Sequence, residues 1–238
     1  MSGFTLEIAA NSLASALAAQ QGGADRVELC ENLGEGGCTP SHGTLAATRD
    51  RLRIPLYVLI RPRTGDFVYG EWEREVMLRD IEHCVRLGCD GVVIGALDAN
   101  GDVDAALCRQ LIGMAGMLGV TFHRAFDVAR DPLHALEAIA ALGCERVLTS
   151  GAAADAPSGA MNLSACVQAA GSRLSIMAGA GVAATDIATL KAAGVREFHA
   201  SAKAVRQGAL QRDLPGLSAD WLQSDAETVR RLKQAIMA

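Results

Sequence analysis

The stretch GGADRVELC at residues 22–30 recurs in weakened form as LGCDGVVIG at 87–95, LGCERVLTS at 142–150 and AGVREFHAS at 193–201. Each copy starts at or beside a glycine suited to a helix C-terminus, where a left-handed residue costs little only for glycine. A polar pair and a short β-branched strand follow, so the copies mark four helix-to-strand junctions. Between them lie four more apolar segments of strand length: Phe4–Ala9, Leu56–Arg61, Val120–Arg124 and Leu174–Ala178. The intervening segments carry helix signals. Asn11 precedes a helix over 12–21, Asp131 and Pro132 open one over 132–142, and Ser224 with Glu227 forms a capping box before one over 225–237. Their apolar residues recur three and four apart, as in Leu13/Ala16/Leu17 and Val229/Leu232/Ile236.

Eight βα units in 238 residues fit a single-domain (β/α)8 TIM barrel over 1–238, a fold whose typical length is ~250 residues. A doubly wound sheet is the competing α/β architecture, but it has fewer strands and expects a GxGxxG turn after strand 1, which is absent here. No shift in composition marks a domain boundary. Residues 204–223, AVRQGALQRDLPGLSADWLQ, are the least regular and read as a long last loop before a C-terminal helix over 224–237.

Half of the residues are apolar, and 22 Lys+Arg against 27 Asp+Glu give a net charge of -5. That balance, with no basic stripe, argues against a nucleic-acid partner. Mean hydropathy is +0.20, yet no uncharged apolar run approaches the ~20 residues that span a bilayer, so no membrane partner is expected. The N-terminal MSGFTLEIAANS lacks the basic region of a secretory signal. A cytoplasmic, reducing location is therefore expected. The seven cysteines form no CxxC or His/Cys cluster at zinc spacing, and most read as small buried apolar residues.

In a barrel, chemistry collects at the C-terminal strand ends, and the period of two sorts each strand's faces. Leu6, Ile8, Val27 and Leu29 should face the helices, and Glu7, Ala9, Glu28 and Cys30 the lumen. The mouth should hold Glu7, Glu28, Cys30, Arg61, His123, Arg124, Ser150, His199 and Asp127. One reading is a structural ion network, with Arg61 or Arg124 neutralising Glu7 and Glu28. The other is a catalytic cluster: Glu7 or Glu28 as base, His123 or His199 as acid, and Arg61 and Arg124 as electrostatic stabilisers. After strands 7 and 8, Gly179, Gly181, Ser201 and Lys203 suit a small phosphate or carboxylate. The loops at 31–43 and 62–72 are long, and the second concentrates Phe67, Tyr69 and Trp72, as a lid, a subunit contact or a local mini-core would.

The segments GGADRVELCENLGEGGCTPSHG, IRPRTGDFVY, VTFHRAFDVARDPLHALE, GCERVLTSG and the MAGAGV turn resemble, in order over about 4–203, the copper homeostasis protein CutC family. The resemblance implies a cytoplasmic (β/α)8 barrel, a homodimer or larger homo-oligomer, and an association with copper, but no established catalytic activity. Copper in this family is tied to thiols at the ends of strands 1 and 2, as Cu(I) prefers soft ligands. Here Cys30 fits the second position and Ala9 stands at the first. The turns after strands 7 and 8 also depart from the family's PGGG and SSAR, reading Ala178-Gly179-Ala180-Gly181 and Ala200-Ser201-Ala202-Lys203. On the resemblance the expected function is copper homeostasis with possible copper binding; the alternatives are an acid/base enzyme on a small phosphorylated or carboxylated carbonyl compound and a barrel whose surface binds protein partners.

Overall fold

Strand residues that alternate in and out settle where each side chain goes. The computed structural model describes residues 3–209, 215 and 218–238. Eight parallel strands, β1 (Thr5–Ala10), β2 (Arg26–Leu29), β3 (Leu56–Leu59), β4 (Gly91–Ile94), β5 (Gly119–Phe122), β6 (Arg146–Thr149), β7 (Ser175–Ala178) and β8 (Glu197–Ala200), close into a barrel. The ring closes where β8 pairs with β1, placing His199 opposite Glu7, and Glu7 opposite Arg26 on β2. The helices are α1 (Leu13–Gly22), α2 (His42–Arg51), α3 (Glu71–Arg86), α4 (Ala105–Ala115), α5 (Pro132–Ala141), α6 (Ala160–Ala170), α7 (Ile187–Ala192) and α8 (Ala226–Met237). Leu6, Ile8, Val27, Leu29 and Phe198 face outward into one core with Ala16, Met77, Leu111, Ile139 and Val229 of the helices. This is the fold expected from the repeat, and the four junction glycines, Gly23, Gly88, Gly143 and Gly194, all have positive φ.

Three local expectations are corrected. Ser12, not Asn11, caps α1, accepting from the Ser15 amide; the Asn11 side chain instead donates to the Leu222 carbonyl at 2.9 Å. Asp225, not Ser224, caps α8 through the Thr228 amide, and Glu227 pairs with Arg230 instead of closing a box. The stretch at 204–223 is not loop at its two ends, because β9 (Lys203–Arg206) and β10 (Trp221–Ser224) pair as an antiparallel ribbon. Its middle, at 210–214 and 216–217, lies outside the described residues. Asp131 caps α5 as expected, accepting from the Leu133 and His134 amides.

The N-terminal half of the barrel interior is filled by stacked cations. Arg26 and Arg146 each lie 5.1 Å from the centre of the Tyr57 ring. Arg26 pairs with Glu7 and, at 2.7 Å, with Glu197; Arg146 reaches Glu197 at 3.1 Å and Glu145 at 3.0 Å. Tyr57 fits because its neighbours in the sheet are Gly91 on β4 and, one strand on, Gly119, where a Cβ would overlap the tyrosine. An ion network does plug the barrel, but Arg26 and Arg146 supply its charge, not Arg61 or Arg124. Buried charges in so tight a space are tolerable only when paired in this way.

Candidate functional site

Above this plug, at the C-terminal strand ends, opens a cavity of about 520 Å³. Glu28, Arg61, His123, Arg124, Gly181, Ser201 and Lys203 line it, together with Phe67, Asp127 and His199. Glu7, Gly179 and Cys30 do not.

Glu7 is fully buried one layer down and works through His199. His199 Nδ1 donates to Glu7 Oε1 at 2.7 Å, while its Nε2 lies 3.7 Å from Glu28 Oε2. Burial alone would push the Glu7 carboxyl up, but Arg26 and the His199 hydrogen bond outweigh it and bring it down to about 2. Glu28 touches no arginine or lysine, and burial, reinforced by the Glu7 charge, pushes it up to about 7 against the pull of His199. Burial disfavours a charged His199, yet the two carboxylates win and raise its pKa. The result is an anchored anion, an imidazole that holds its proton, and a second carboxyl that titrates near neutrality.

Arg61 and His123 form the opposite wall, and both are 5 % exposed. Arg61 has no carboxylate in contact. Its Nη1 donates to the carbonyls of Glu35 (3.1 Å) and Gly37 (2.8 Å), its Nη2 to that of Gly65 (2.9 Å), and the guanidinium lies over Phe67. His123 Nδ1 accepts from the Ala125 amide at 3.1 Å, which places the ring proton on Nε2. Burial and the Arg61 charge push His123 down to about 3. His123 is therefore neutral at ordinary pH, whereas His199 is the imidazole that holds its proton.

Arg124 is held at the rim by Asp127, which takes its Nε at 2.7 Å and also accepts from the Ser150 amide, Ser150 Oγ, Thr149 Oγ1 and the Ala152 amide. The VTFHRAFD motif thus contributes one cavity wall and the clamp for its arginine. On the far side, Ala180 (φ +77°) and Ala202 (φ +44°) occupy left-handed conformations next to Gly181 and Ser201, strain of the kind that gathers at binding loops. The Gly179 amide does not belong to an anion site, because it donates to the Thr149 carbonyl at 3.0 Å. The glycine packs tightly: a Cβ there would push against the Leu148 Cδ1 methyl. Gly181, Ser201 and Lys203 line the cavity. In the loop at 62–72, Phe67 is cavity wall, Tyr69 is 3 % exposed and Trp72 is 76 % exposed.

Cys30 is fully buried among Tyr57, Leu59 and Val93. The turn at Gly37 lies directly over it, with a Cβ there only 3.5 Å from Cys30 Cβ, and burial raises the thiol well above its ordinary pKa. No group of three or more His, Cys, Asp or Glu among the described residues is arranged to hold a metal ion. The Cys38 thiol is near enough to raise that of Cys30 further, and a protonated, enclosed thiol is a poor ligand for Cu(I), which needs thiolate and further soft donors.

The CutC family model matches residues 4–204. The chain belongs to the CutC family. A CutC family protein of Xanthomonas campestris pv. campestris (strain B100) is 57% identical over 235 residues, which cover 97% of this chain and 98% of that protein. A solved Streptococcus agalactiae CutC, named for copper homeostasis, superposes with a TM-score of 0.80 at 33% identity, covering 83% of this chain and 98% of that one. Thiamine phosphate pyrophosphorylase from Pyrococcus furiosus superposes at 0.64 with 12% identity, over 99% and 96% of the two chains, a likeness of fold alone. Among the described residues, no helix is long and apolar enough to cross a membrane.

Two groups escaped the sequence reading. Arg26, which neutralises Glu7, has the same parity in its strand as Glu28, so extending the alternation by one step would have found it. Asp127 was placed at the mouth without a role. Its use as a clamp depends on amides brought in by β6, and no spacing within HRAFD announces it.

Proposed function

We propose that the barrel mouth is an active site that moves a proton at a carbon beside a carbonyl group of a small anionic substrate. The observation that carries this reading is Glu28: a buried carboxyl facing the cavity, pushed up to about 7 and coupled to Glu7 through His199. A base is most effective when its pKa lies near the working pH. Glu28 takes the proton, the C–H electron pair becomes the C=C bond of an enolate, and the carbonyl π pair moves onto oxygen. Return of the proton from Glu28 to the same carbon completes an exchange, and delivery of the His199 proton to a different atom completes a turnover once the Glu28 proton passes to His199 Nε2, 3.7 Å from Glu28 Oε2. In this reading Gly181, Ser201 and Lys203 hold a phosphate or carboxylate of the same molecule, with Arg124 at the rim. The family's association with copper attaches to this chain by name, and the donor set around Cys30 gives it no support.

The test is a thermal-shift screen of phosphorylated and carboxylated aldehydes and ketones, followed by NMR in D2O to observe loss of the proton next to the carbonyl. A stabilising compound should exchange that proton, and Glu28→Gln should still bind it while exchanging at least ~10²-fold more slowly. Exchange at the wild-type rate in Glu28→Gln, or no exchange in any compound that binds, would overturn the proposal.

A further inference from the structure

The groups at the mouth that carry protons are gathered on one side of the ring. Glu28 stands on β2 and His199 on β8, the two neighbours of β1, and Glu35 and Lys203, which also line the cavity, follow those same strands. Across the barrel from β1 lies β5, whose end supplies His123, Arg124 and Asp127. None of these three suits proton transfer. His123 is held neutral, and its Nε2 is sealed. Asp127 has its oxygens filled by Arg124 Nε, the Thr149 and Ser150 hydroxyls and the Ser150 and Ala152 amides, and a guanidinium such as that of Arg124 keeps its proton.

Glu28 and His199 are differently placed. Both line the cavity and keep some exposure, 6 % for the Glu28 side chain and 12 % for that of His199, and neither Glu28 oxygen nor His199 Nε2 belongs to the sealed, unpartnered atoms. Glu7 takes His199 Nδ1 at 2.7 Å, which leaves Nε2 for a ligand. Glu28 Oε2 and His199 Nε2 lie 3.7 Å apart, and that distance fixes the stereochemistry. Two groups reacting on opposite faces of a planar enolate each stand about 3–3.5 Å from it, hence about 6–7 Å from one another. At 3.7 Å, Glu28 and His199 meet the same face.

We propose that Glu28 and His199 act together on one face of a 2-hydroxy aldehyde or 2-hydroxy ketone, moving a hydrogen between neighbouring carbons. This deepens the acid/base reading above and rests on it. The hydroxyl is what turns exchange into an interconversion, since it lets the neighbouring carbon become the carbonyl. Glu28 takes the hydrogen of the carbon bearing the hydroxyl; the C–H pair becomes C=C, and the carbonyl π pair moves onto oxygen, which takes the Nε2 proton of His199. The hydroxyl proton then passes to the vacated Nε2, its O–H pair becomes the new C=O bond, and the C=C pair takes the Glu28 proton at the other carbon. Both side chains end as they began. One imidazole serves both oxygens because these lie side by side, cis on adjacent carbons. Inversion of a carbon is excluded, since it needs a second proton carrier at the end of β5.

The experiment incubates the protein in D2O with dihydroxyacetone phosphate, ribulose 5-phosphate and fructose 6-phosphate, followed by NMR. Deuterium should replace one of the two hydrogens on C1 and leave the other, and the 2-hydroxy aldehyde should form as one epimer in at least ~10:1 excess. Glu28→Gln protein prepared in the same way should lose both at least ~10²-fold, which excludes a contaminating activity. Both C1 hydrogens exchanging equally, or two epimers in equal amount, would overturn the single face and leave Glu28 as base. Exchange of one hydrogen with no aldehyde formed would overturn the 2-hydroxy substrate. If none of the three ketones exchanges, this inference fails, while the acid/base reading still stands or falls on the wider screen above. Wild-type exchange in Glu28→Gln would sink the acid/base reading itself.

Discussion

Glu28 shows what one buried carboxyl costs the fold. Its pKa in the folded chain, about 7, lies above the ~4.3 of an unfolded glutamate. The folded state then binds a proton that the unfolded state releases, so ionising Glu28 lowers stability progressively between pH ~4.3 and ~7. The penalty is fully present above that window, at about 4 kcal/mol. Glu28→Gln should therefore melt close to wild type at pH 4.5 and several degrees above it at pH 8, as followed by circular dichroism. An equal difference at both pH values would mean that the carboxyl ionises freely in the fold. The position of Glu28, and those of Glu7 and His199, follow from strand parity alone. Their division of labour does not, because Arg26 compensates Glu7 and leaves Glu28 with His199 alone as its positive neighbour. Cys30 follows the same parity yet takes no part in the mouth, since the Gly37 turn covers it.

At the scale of elements, β3, β4 and β5 are matched through one ring. Gly91→Ala would drive a methyl into Tyr57 and should cost about 1–3 kcal/mol in urea unfolding. Gly113, inside α4 with nothing near its Cβ position, makes the control. Gly113→Ala should stabilise by about 0.5–1 kcal/mol, because a glycine inside a helix is the worse helix former. Opposite signs are expected, and equal small effects would remove the Tyr57 packing from the account. The helix-to-strand junctions were legible because their signal is local: a left-handed glycine, then a β-branched run. The β9–β10 ribbon was not, because its stability comes from tertiary anchors. Ser224 Oγ donates to the Ser201 carbonyl at 3.0 Å and the Asp225 amide to that of Ala202 at 2.9 Å, so the ribbon ties the loop after β8 to the start of α8.

For the whole molecule, Arg26 links β2, β1 and β8 at the seam where the barrel closes. Arg26→Ala would leave Glu7 and Glu197 buried with one cation fewer and should cost about 3–5 kcal/mol at neutral pH. Acid should narrow the gap between mutant and wild type: a carboxyl brought down to about 2 stabilises the fold above the ordinary ~4.3, and that contribution fades as the pH falls towards 2. Urea unfolding at pH 7 and pH 3 measures both, and a loss below ~1 kcal/mol at pH 7 would mean that water or a neighbour takes over the pairing. By itself, the sequence determined that eight βα units close one barrel and which side chains point inward, because periodicity and glycine conformations are properties of the local chain. Only the tertiary structure decided which inward charges compensate one another, that Cys30 is sealed away, and that Arg61 and His123 line the cavity. Those outcomes depend on distances between strands far apart in sequence, which closure of the ring sets and no local pattern encodes.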